Sequence, residues 1–356
     1  MTRLTISLCL LFVIGCGVNS VNSKRSFEFV YEVELDSTEG KKVELWLPIP
    51  QSNEVQIISN LKINTNGLRY SVENENVHNN KYLYINDPLG LSESKKVSIS
   101  FNVDRLEHEN VKYMNVDPNK YLGSYSTVPV GGVFDKVIAE NKLSKNNIRG
   151  VYDYVFEGMH YGKPTDDQNS KNYKYIHGGK NPKTGQEWLP NNIKYGLKKK
   201  TKDELVKSQN KNSQYAYGNG NAIYACDIGV GNCTDYHSYF MSLERTLGVP
   251  ARFHMGFPIP NKEDAGKVGG YHCWADYYVE GEGWYPVDIS EADKDPSKKD
   301  YFFGKVDQNR FEMTVGRDFI LKGYEPGITN LFIYPLLEVN DIKSSAFTKK
   351  FTYKNL

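Results

Sequence analysis

Residues 229–252 read GVGNCTDYHSYFMSLERTLGVPAR, and the position of the thiol in that stretch decides the fold. Gly229, Gly231 and Asn232 make a turn, after which Tyr236, Phe240, Leu243 and Leu247 recur at i, i+4, i+7 and i+11, the spacing of one helical face. Gly248 and Pro250 then stop the helix. Cys233 therefore opens a helix, where aligned peptide dipoles leave about half a positive charge. That charge lowers a thiol's pKa and favours the nucleophilic thiolate. The competing reading of Cys233 is a small buried hydrophobe.

A thiolate that attacks a carbonyl needs an imidazole to take its proton and later return one to the leaving group. Of the seven histidines, His237 lies one helical turn after Cys233 and reaches the thiol only by pointing back along the helix. The better candidate stands in GGYHCWADYYVEGEGWYPVDIS, residues 269–290. There His272, Trp274 and Asp276 share a strand face, ahead of an EGEG turn and a return strand ending at Asp288. Asp276 is four strand residues from His272, about 13 Å, and too far to orient the ring. Asp288 is the acid across the ladder. A simple hairpin centred on EGEG sets His272 nearer residue 291, an offset of about 10 Å, and Gly281, Gly283 and Pro286 suit a bulge or wider loop that shifts the register.

Taken in order, Gly231-Asn232-Cys233-Thr234-Asp235, Gly248-Val249-Pro250-Ala251-Arg252, His272-Cys273-Trp274-Ala275-Asp276 and Gly283-Trp284-Tyr285-Pro286-Val287-Asp288 resemble the transglutaminase-like superfamily, the bacterial branch of papain-like thiol enzymes. The resemblance is strongest over residues 216–325, and WLPIP at 46–50 resembles the N-terminal β region of bacterial relatives. It implies an α+β fold with a papain-like transglutaminase core, in which the helix bearing the cysteine packs on an antiparallel sheet. It also implies Cys233 as nucleophile, His272 as general acid/base and Asp288 as the acid that orients the imidazole. The Cys233 backbone N–H would help hold the oxyanion. Relatives often carry a tryptophan upstream of the nucleophile; here Tyr217 occupies that place, so Tyr217 is a possible oxyanion or cleft residue. Trp274 reads as a cleft wall or core contact, Asp235 as a complement to the helix dipole, and Arg252, Arg310 and Arg317 as ion-pair partners.

This chemistry requires no cofactor and no metal. A rival reading makes Cys226, Cys233, His237, His272 and Cys273 zinc ligands, but C-x6-C with an adjacent His-Cys lacks the close CxxC or HxxxH pairs of structural zinc sites. A second rival is a catalytically inactive envelope lipoprotein that binds a peptide or glycan on the same scaffold. The favoured reading is cleavage or transfer of an acyl group from an amide or isopeptide through a cysteine thioester, with hydrolysis ahead of crosslinking. The substrate class is a peptide, protein or peptidoglycan-like amide.

Outside the motif, FEFVYEVEL at 27–35 alternates in hydrophobicity, as do Val43 to Ile49 and Val97 to Val103, with turn-rich segments between them. A small antiparallel β-sandwich-like domain over 27–115 follows. Ser144 caps a helix with Ile148, Val151, Tyr152, Val155, Phe156 and Met159 on its buried stripe. The catalytic domain then runs over 116–325 with a polar Lys/Asn-rich insertion at about 162–215, and a C-terminal strand and tail occupy 326–356. At the other end, MTRLTISLCLLFVIG has the form of an export signal over 1–15. Val13-Ile14-Gly15-Cys16 resembles the lipobox of bacterial lipoproteins, so Cys16 is the expected lipidation site and 16–26 its tether. The expected location is the cell envelope or periplasm, with a lipid anchor to the membrane. With 44 Lys and Arg against 43 Asp and Glu, the charge gives no case for a nucleic-acid partner. An exported chain can form disulfides, so Cys226 with Cys273 stays open, leaving Cys233 free.

Overall fold

The computed structural model describes residues 23–164, 180–210 and 212–356; the expected export signal and the expected lipidation at Cys16 fall outside the described residues. The first part of the chain runs β1 (Lys24–Leu35), β2 (Val43–Ile49), β3 (Gln56–Asn64), β4 (Tyr70–Asn74), β5 (Lys81–Asp87) and β6 (Lys95–Leu106). Next come α1 (Val133–Asn141), α2 (Ile148–Gly158), β7 (His160–Tyr161), α3 (Ala222–Ile228), β8 (Val230–Gly231) and α4 (Cys233–Thr246). β9 (Ala251–Pro258), β10 (Ala265–Lys267), β11 (His272–Val279), β12 (Gly283–Val287) and α5 (Ile289–Lys294) follow. The chain then forms β13 (Arg310–Val315), β14 (Phe319–Ile320), β15 (Ile328–Thr329), β16 (Leu336–Val339), β17 (Ile342–Ser344) and β18 (Phe347–Asn355).

Alternation in β1 buries Phe27, Phe29, Tyr31 and Val33 completely, one face of a strand turned to a core. Two five-stranded sheets result, ordered β10-β18-β1-β6-β3 and β17-β16-β2-β5-β4. Their apolar faces meet in a single core that also takes in Phe253, Phe257 and Phe311 from the third sheet, β12-β11-β9-β13. The small antiparallel β domain expected at 27–115 shares both of its sheets with the C-terminal segment. β18 pairs with β1 and β16 pairs with β2, so the segment expected to be a C-terminal strand and tail completes both sheets. Alternation reveals which face of a strand is buried and is silent about which distant strand lies beside it.

The helices build on α4. Its Thr234, Asp235, His237, Ser238, Ser242 and Glu244 have no exposed surface, so the helix read as amphipathic is enclosed on all sides. α1, α2 and α3 pack around it, and β9 and β11 form its floor. α2 carries the expected stripe but is capped by Asn147, whose side chain accepts from the Gly150 N–H. Ser144 instead closes the preceding turn, where its carbonyl accepts from the Asn147 N–H. Within the expected polar insertion, Leu189, Tyr195 and Leu205 are buried and pack on Tyr224, Ile228 and Val230. The described part of that lysine-rich segment thus has a small core of its own against α3 and β8.

Candidate active site

The site begins at the start of α4. Asn232 caps the helix, its side chain accepting from the N–H groups of Thr234 at 2.9 Å and Asp235 at 3.4 Å. Asp235 returns the bond by accepting from the Asn232 N–H at 3.1 Å, a reciprocal capping box. The Cys233 N–H takes no acceptor among the described residues, which leaves it able to donate to a developing oxyanion. The Cys233 side chain is 5% exposed.

Beneath α4 lies the hairpin that supplies the imidazole and the acid. β11 and β12 pair without interruption from Val279 opposite Gly283 to Ala275 opposite Val287. The bulge expected from Gly281, Gly283 and Pro286 is absent from this ladder, and Asp288 reaches His272 by another route. The strand ends at Val287, and Asp288 turns out of the sheet as the N-cap of α5. Its Oδ1 accepts from the Glu291 N–H at 3.1 Å and the Ser290 hydroxyl at 3.1 Å. Its Oδ2 lies 2.7 Å from His272 Nε2. A carboxylate only accepts, so His272 carries its hydrogen on Nε2 there and turns Nδ1 to the thiol. His272 and Cys233 are close enough for each to shift the other's pKa.

Charge follows this geometry. The Cys233 thiol is held well below its ordinary range, first by a hydrogen bond from Cys273 and then by the hydrogen bond and charge of His272, with burial opposing and Lys294 adding to the effect. Burial alone would lower the His272 pKa; the Asp288 charge and hydrogen bond, aided by Cys233, outweigh it and raise it to about 9. Asp288 is fully buried, which favours its neutral form, yet the positive charges of His272 and Arg310 hold it far down. Both shifts run toward a thiolate paired with an imidazolium, the form that a cysteine nucleophile needs.

The other candidates separate into two groups. Trp274 is fully buried and stacks on His254 at 5.5 Å between ring centroids, so it is a core contact and the cleft-wall reading is corrected. Asp276 pairs with Arg252, whose Nε stands 3.0 Å from Oδ1, and with His254 Nε2 at 3.0 Å. His254 Nδ1 continues the chain to Glu312 at 2.6 Å. Arg252 thus has the structural partner expected of it. Arg310 stands closer to the chemistry, 3.4 Å from Asp288 Oδ2, 3.3 Å from Glu291 and 3.1 Å from Asp307. Arg317 is bonded to uncharged groups, among them Ser238 Oγ and the carbonyls of Asn219 and Gly220.

Those two carbonyls belong to the Tyr217 loop. Asp235 accepts from the N–H groups of Gly218 at 2.9 Å and Gly220 at 3.1 Å, so it clamps the loop to the nucleophile's helix as well as complementing the dipole. Burial pushes its pKa up to about 7 against the pull of those backbone donors. Gly220 has φ +60°, and an added Cβ would sit 2.6 Å from Thr234 Cγ2; only glycine lets the loop lie this close. Tyr217 is half-buried beside the site, where burial first and then the charges of Tyr161, Asp235 and Cys233 keep its phenol protonated. Tyr161 and Tyr271 feel the Cys233 charge as well. Lys294 lies 2.7 Å from Glu291 and 4.1 Å from the centre of the Tyr161 ring.

Three residues named in the sequence reading stand in other places than it gave them: Cys273 beside the thiol, Arg310 as the ion-pair partner of Asp288 itself, and His237 between Cys233 and Ile289. Adjacency of Cys273 to His272 was the available signal for the first. Cys226, Cys233 and Cys273 are all free thiols. His237 Nδ1 is 2.7 Å from the Cys233 carbonyl and its Nε2 accepts from the Ile289 N–H at 3.1 Å. Both ring nitrogens are thereby engaged, which removes His237 from the zinc-ligand set.

The chain is thus an α+β fold in which an enclosed helix sets a cysteine beside a histidine–aspartate pair at the end of an antiparallel hairpin. Residues 183–289 match the family model of the Transglutaminase-like superfamily. A protein of Haemophilus influenzae, itself uncharacterized, is 24% identical over an alignment covering 92% of this chain and 89% of its own. Among solved structures, a candidate cysteine protease from Cytophaga hutchinsonii aligns over 94% of this chain and 100% of that one, at 11% identity and TM-score 0.47. A candidate protease from Parabacteroides distasonis aligns over 73% of this chain and 46% of that one, at 8% identity and TM-score 0.22.

Proposed function

We propose that the protein is a cell-envelope thiol hydrolase acting on an amide or isopeptide bond of a peptide, protein or peptidoglycan-like substrate. The observation that carries the reading is the meeting of Cys233, His272 and Asp288 at the N-terminus of α4, with the Asp288 carboxylate 2.7 Å from the ring. The Cys233 sulfur adds to the carbonyl carbon while the Cys233 N–H, and Tyr217 as a second donor, bind the oxyanion. Collapse breaks the C–N bond, and the proton held by His272 goes to the leaving amine. Water then adds to the thioester, gives a proton to His272, and the C–S bond breaks to release a carboxylic acid and the thiolate, restoring the thiolate–imidazolium pair. Hydrolysis is favoured over transfer to an amine because that is the commoner pattern in relatives resembled outside animals.

We also propose export with lipidation at Cys16, which would hold this active site at the membrane surface. Incubating wild type and Cys233→Ala with envelope extract and identifying the adduct on the Cys233 peptide by mass spectrometry tests the chemistry. A thioester adduct that turns over in water, absent from Cys233→Ala, is the expected result. Turnover retained in Cys233→Ala refutes the mechanism, and product formed only with an added amine refutes hydrolysis. Membrane fractionation of Cys16→Ala tests the anchor: release of the variant into the soluble fraction is expected.

A further inference from the structure

The histidine not assigned to proton transfer is placed between the two ends of the catalytic apparatus. His237 is fully buried one turn along α4 from Cys233. Its Nδ1 meets the Cys233 carbonyl oxygen at 2.7 Å, and its Nε2 meets the Ile289 backbone N–H at 3.1 Å. A carbonyl only accepts and an amide N–H only donates, so these two partners fix one tautomer, neutral with its hydrogen on Nδ1. The ring therefore links the residue that bears the nucleophile to the residue immediately after Asp288. Asp288 Oδ1 is 3.8 Å from the unprotonated Nε2, too far for a hydrogen bond. That oxygen is held instead by Ser290 and Glu291, and Oδ2 is left to His272.

We propose that His237 is a positioning residue that sets the separation of nucleophile and acid, tying the start of α4 to the start of α5 so that His272 fits between them. Its neutral form is part of this role. A proton on Nε2 would oppose the Ile289 N–H, break that tie, and present a second cation to Asp288 in competition with His272. The groups facing the ring are the Cys233 carbonyl and thiol on α4, Cys273 Sγ at 3.9 Å and His272 from β11, and Asp288 with the Ile289 amide from α5. Burial, the first influence on the ring, works in the required direction and lowers its pKa.

The inference rests on the thiol chemistry proposed above, and its test is read on the protein's own groups without a substrate. Two variants separate the two ties. In His237→Gln the amide oxygen stands near the place of Nε2 and can accept from Ile289. In His237→Asn the amide nitrogen stands near the place of Nδ1 and can donate to the Cys233 carbonyl. The measurements are the rate of iodoacetamide modification of Cys233 from pH 5 to 10 and the NMR titration of the His272 ring, with circular dichroism to verify folding. His237→Gln is expected to stay within about threefold of wild type at pH 6 and to keep the His272 titration. His237→Asn is expected to lose roughly ten- to a hundredfold in rate at pH 6, the scale of a misplaced catalytic group, with His272 titrating at lower pH as Asp288 moves away. Folded Gln and Asn variants that match each other in both measurements, whether both like wild type or both impaired, would overturn the assignment. An intact His237 effect on Cys233 together with no turnover of any amide would refute the hydrolase and leave the positioning role standing.

Discussion

Arg252 Nε lies 3.0 Å from Asp276 Oδ1, with both side chains buried on paired positions of β9 and β11. Asp288, twelve residues further on and just past the end of β12, gives its Oδ2 to His272. Equal truncations of the two acids therefore have different consequences. Asp276→Ala leaves Arg252 buried without its anion, His254 keeping only Glu312, and should cost about 3–5 kcal/mol of stability, while the fraction that stays folded keeps near-normal turnover. Asp288→Ala should slow acylation by roughly 10²–10⁴-fold, the scale of an acid/base system that has lost its orienting partner, and cost about 1 kcal/mol through the lost helix cap. Denaturant unfolding beside kcat/KM for each variant checks this, and equal losses of activity in the two would reverse the assignment of the acid.

The pH response should differ between two reactions of the same sulfur. Because His272 is raised to about 9, its pairing with Asp288 contributes stability that is complete below the ordinary histidine pKa and is lost as pH rises through about 9. Amide cleavage needs the proton on His272 and should decline through that same range. Alkylation by iodoacetamide needs only the thiolate and should not. Parallel pH profiles for the two reactions would show that His272 delivers no proton to the leaving group.

Cys273 is the neighbour that does most to lower the Cys233 pKa, and its own sulfur lies 3.7 Å from Thr234 Oγ1. Removing it in Cys273→Ala should move the acid limb of Cys233 alkylation to higher pH, each unit of displacement being roughly tenfold in rate on that limb. Cys273→Ser retains an O–H donor and should move it less. An alanine variant with an unshifted profile would show that the second thiol only fills space.

Glu244 is fully buried on α4 and neither carboxylate oxygen has a hydrogen-bond partner among the described residues. Burial raises its pKa well above the ordinary value. Its folded form holds a proton that the unfolded form gives up, so stability falls as pH rises above about 4.3, at roughly 1.4 kcal/mol per pH unit while only the unfolded group ionises. Glu244→Gln removes that proton linkage. Thermal melts between pH 5 and 8 should show a flatter dependence for the variant, and identical slopes would mean that the carboxyl ionises in the folded protein.

Much of the site was legible because its parts are local. The turn before Cys233, the stop at Gly248 and Pro250, and the strand containing His272 each announce themselves within a dozen residues. The reach of Asp288 was not legible. Strand arithmetic counts along the ladder, whereas Asp288 has already left it to cap α5, and a side chain at a helix start turns back across the sheet end. His237 was legible as a position but not as a bridge, since its second partner, the Ile289 amide, is 52 residues away. The polar residues of α4 misled for a related reason. Ser238 and Ser242 resemble a solvated face, but Ser238 is spent on the Thr234 carbonyl and on Arg317, pairings that depend on the tertiary fold.

The pairing of β1 with β18 has a consequence for how the polypeptide matures. Phe27 stands opposite Asn355 and Leu35 opposite Phe347, so one flank of the first strand finds its neighbour only after synthesis has passed residue 347. β6 can cover the other flank early, but until then the open side is a row of unsatisfied amides and carbonyls available to other nascent chains. Contacts of such long sequence separation also slow folding. Trimming the last ten residues should therefore harm yield during biosynthesis, through aggregation, more than it harms a thiol site whose own parts lie elsewhere.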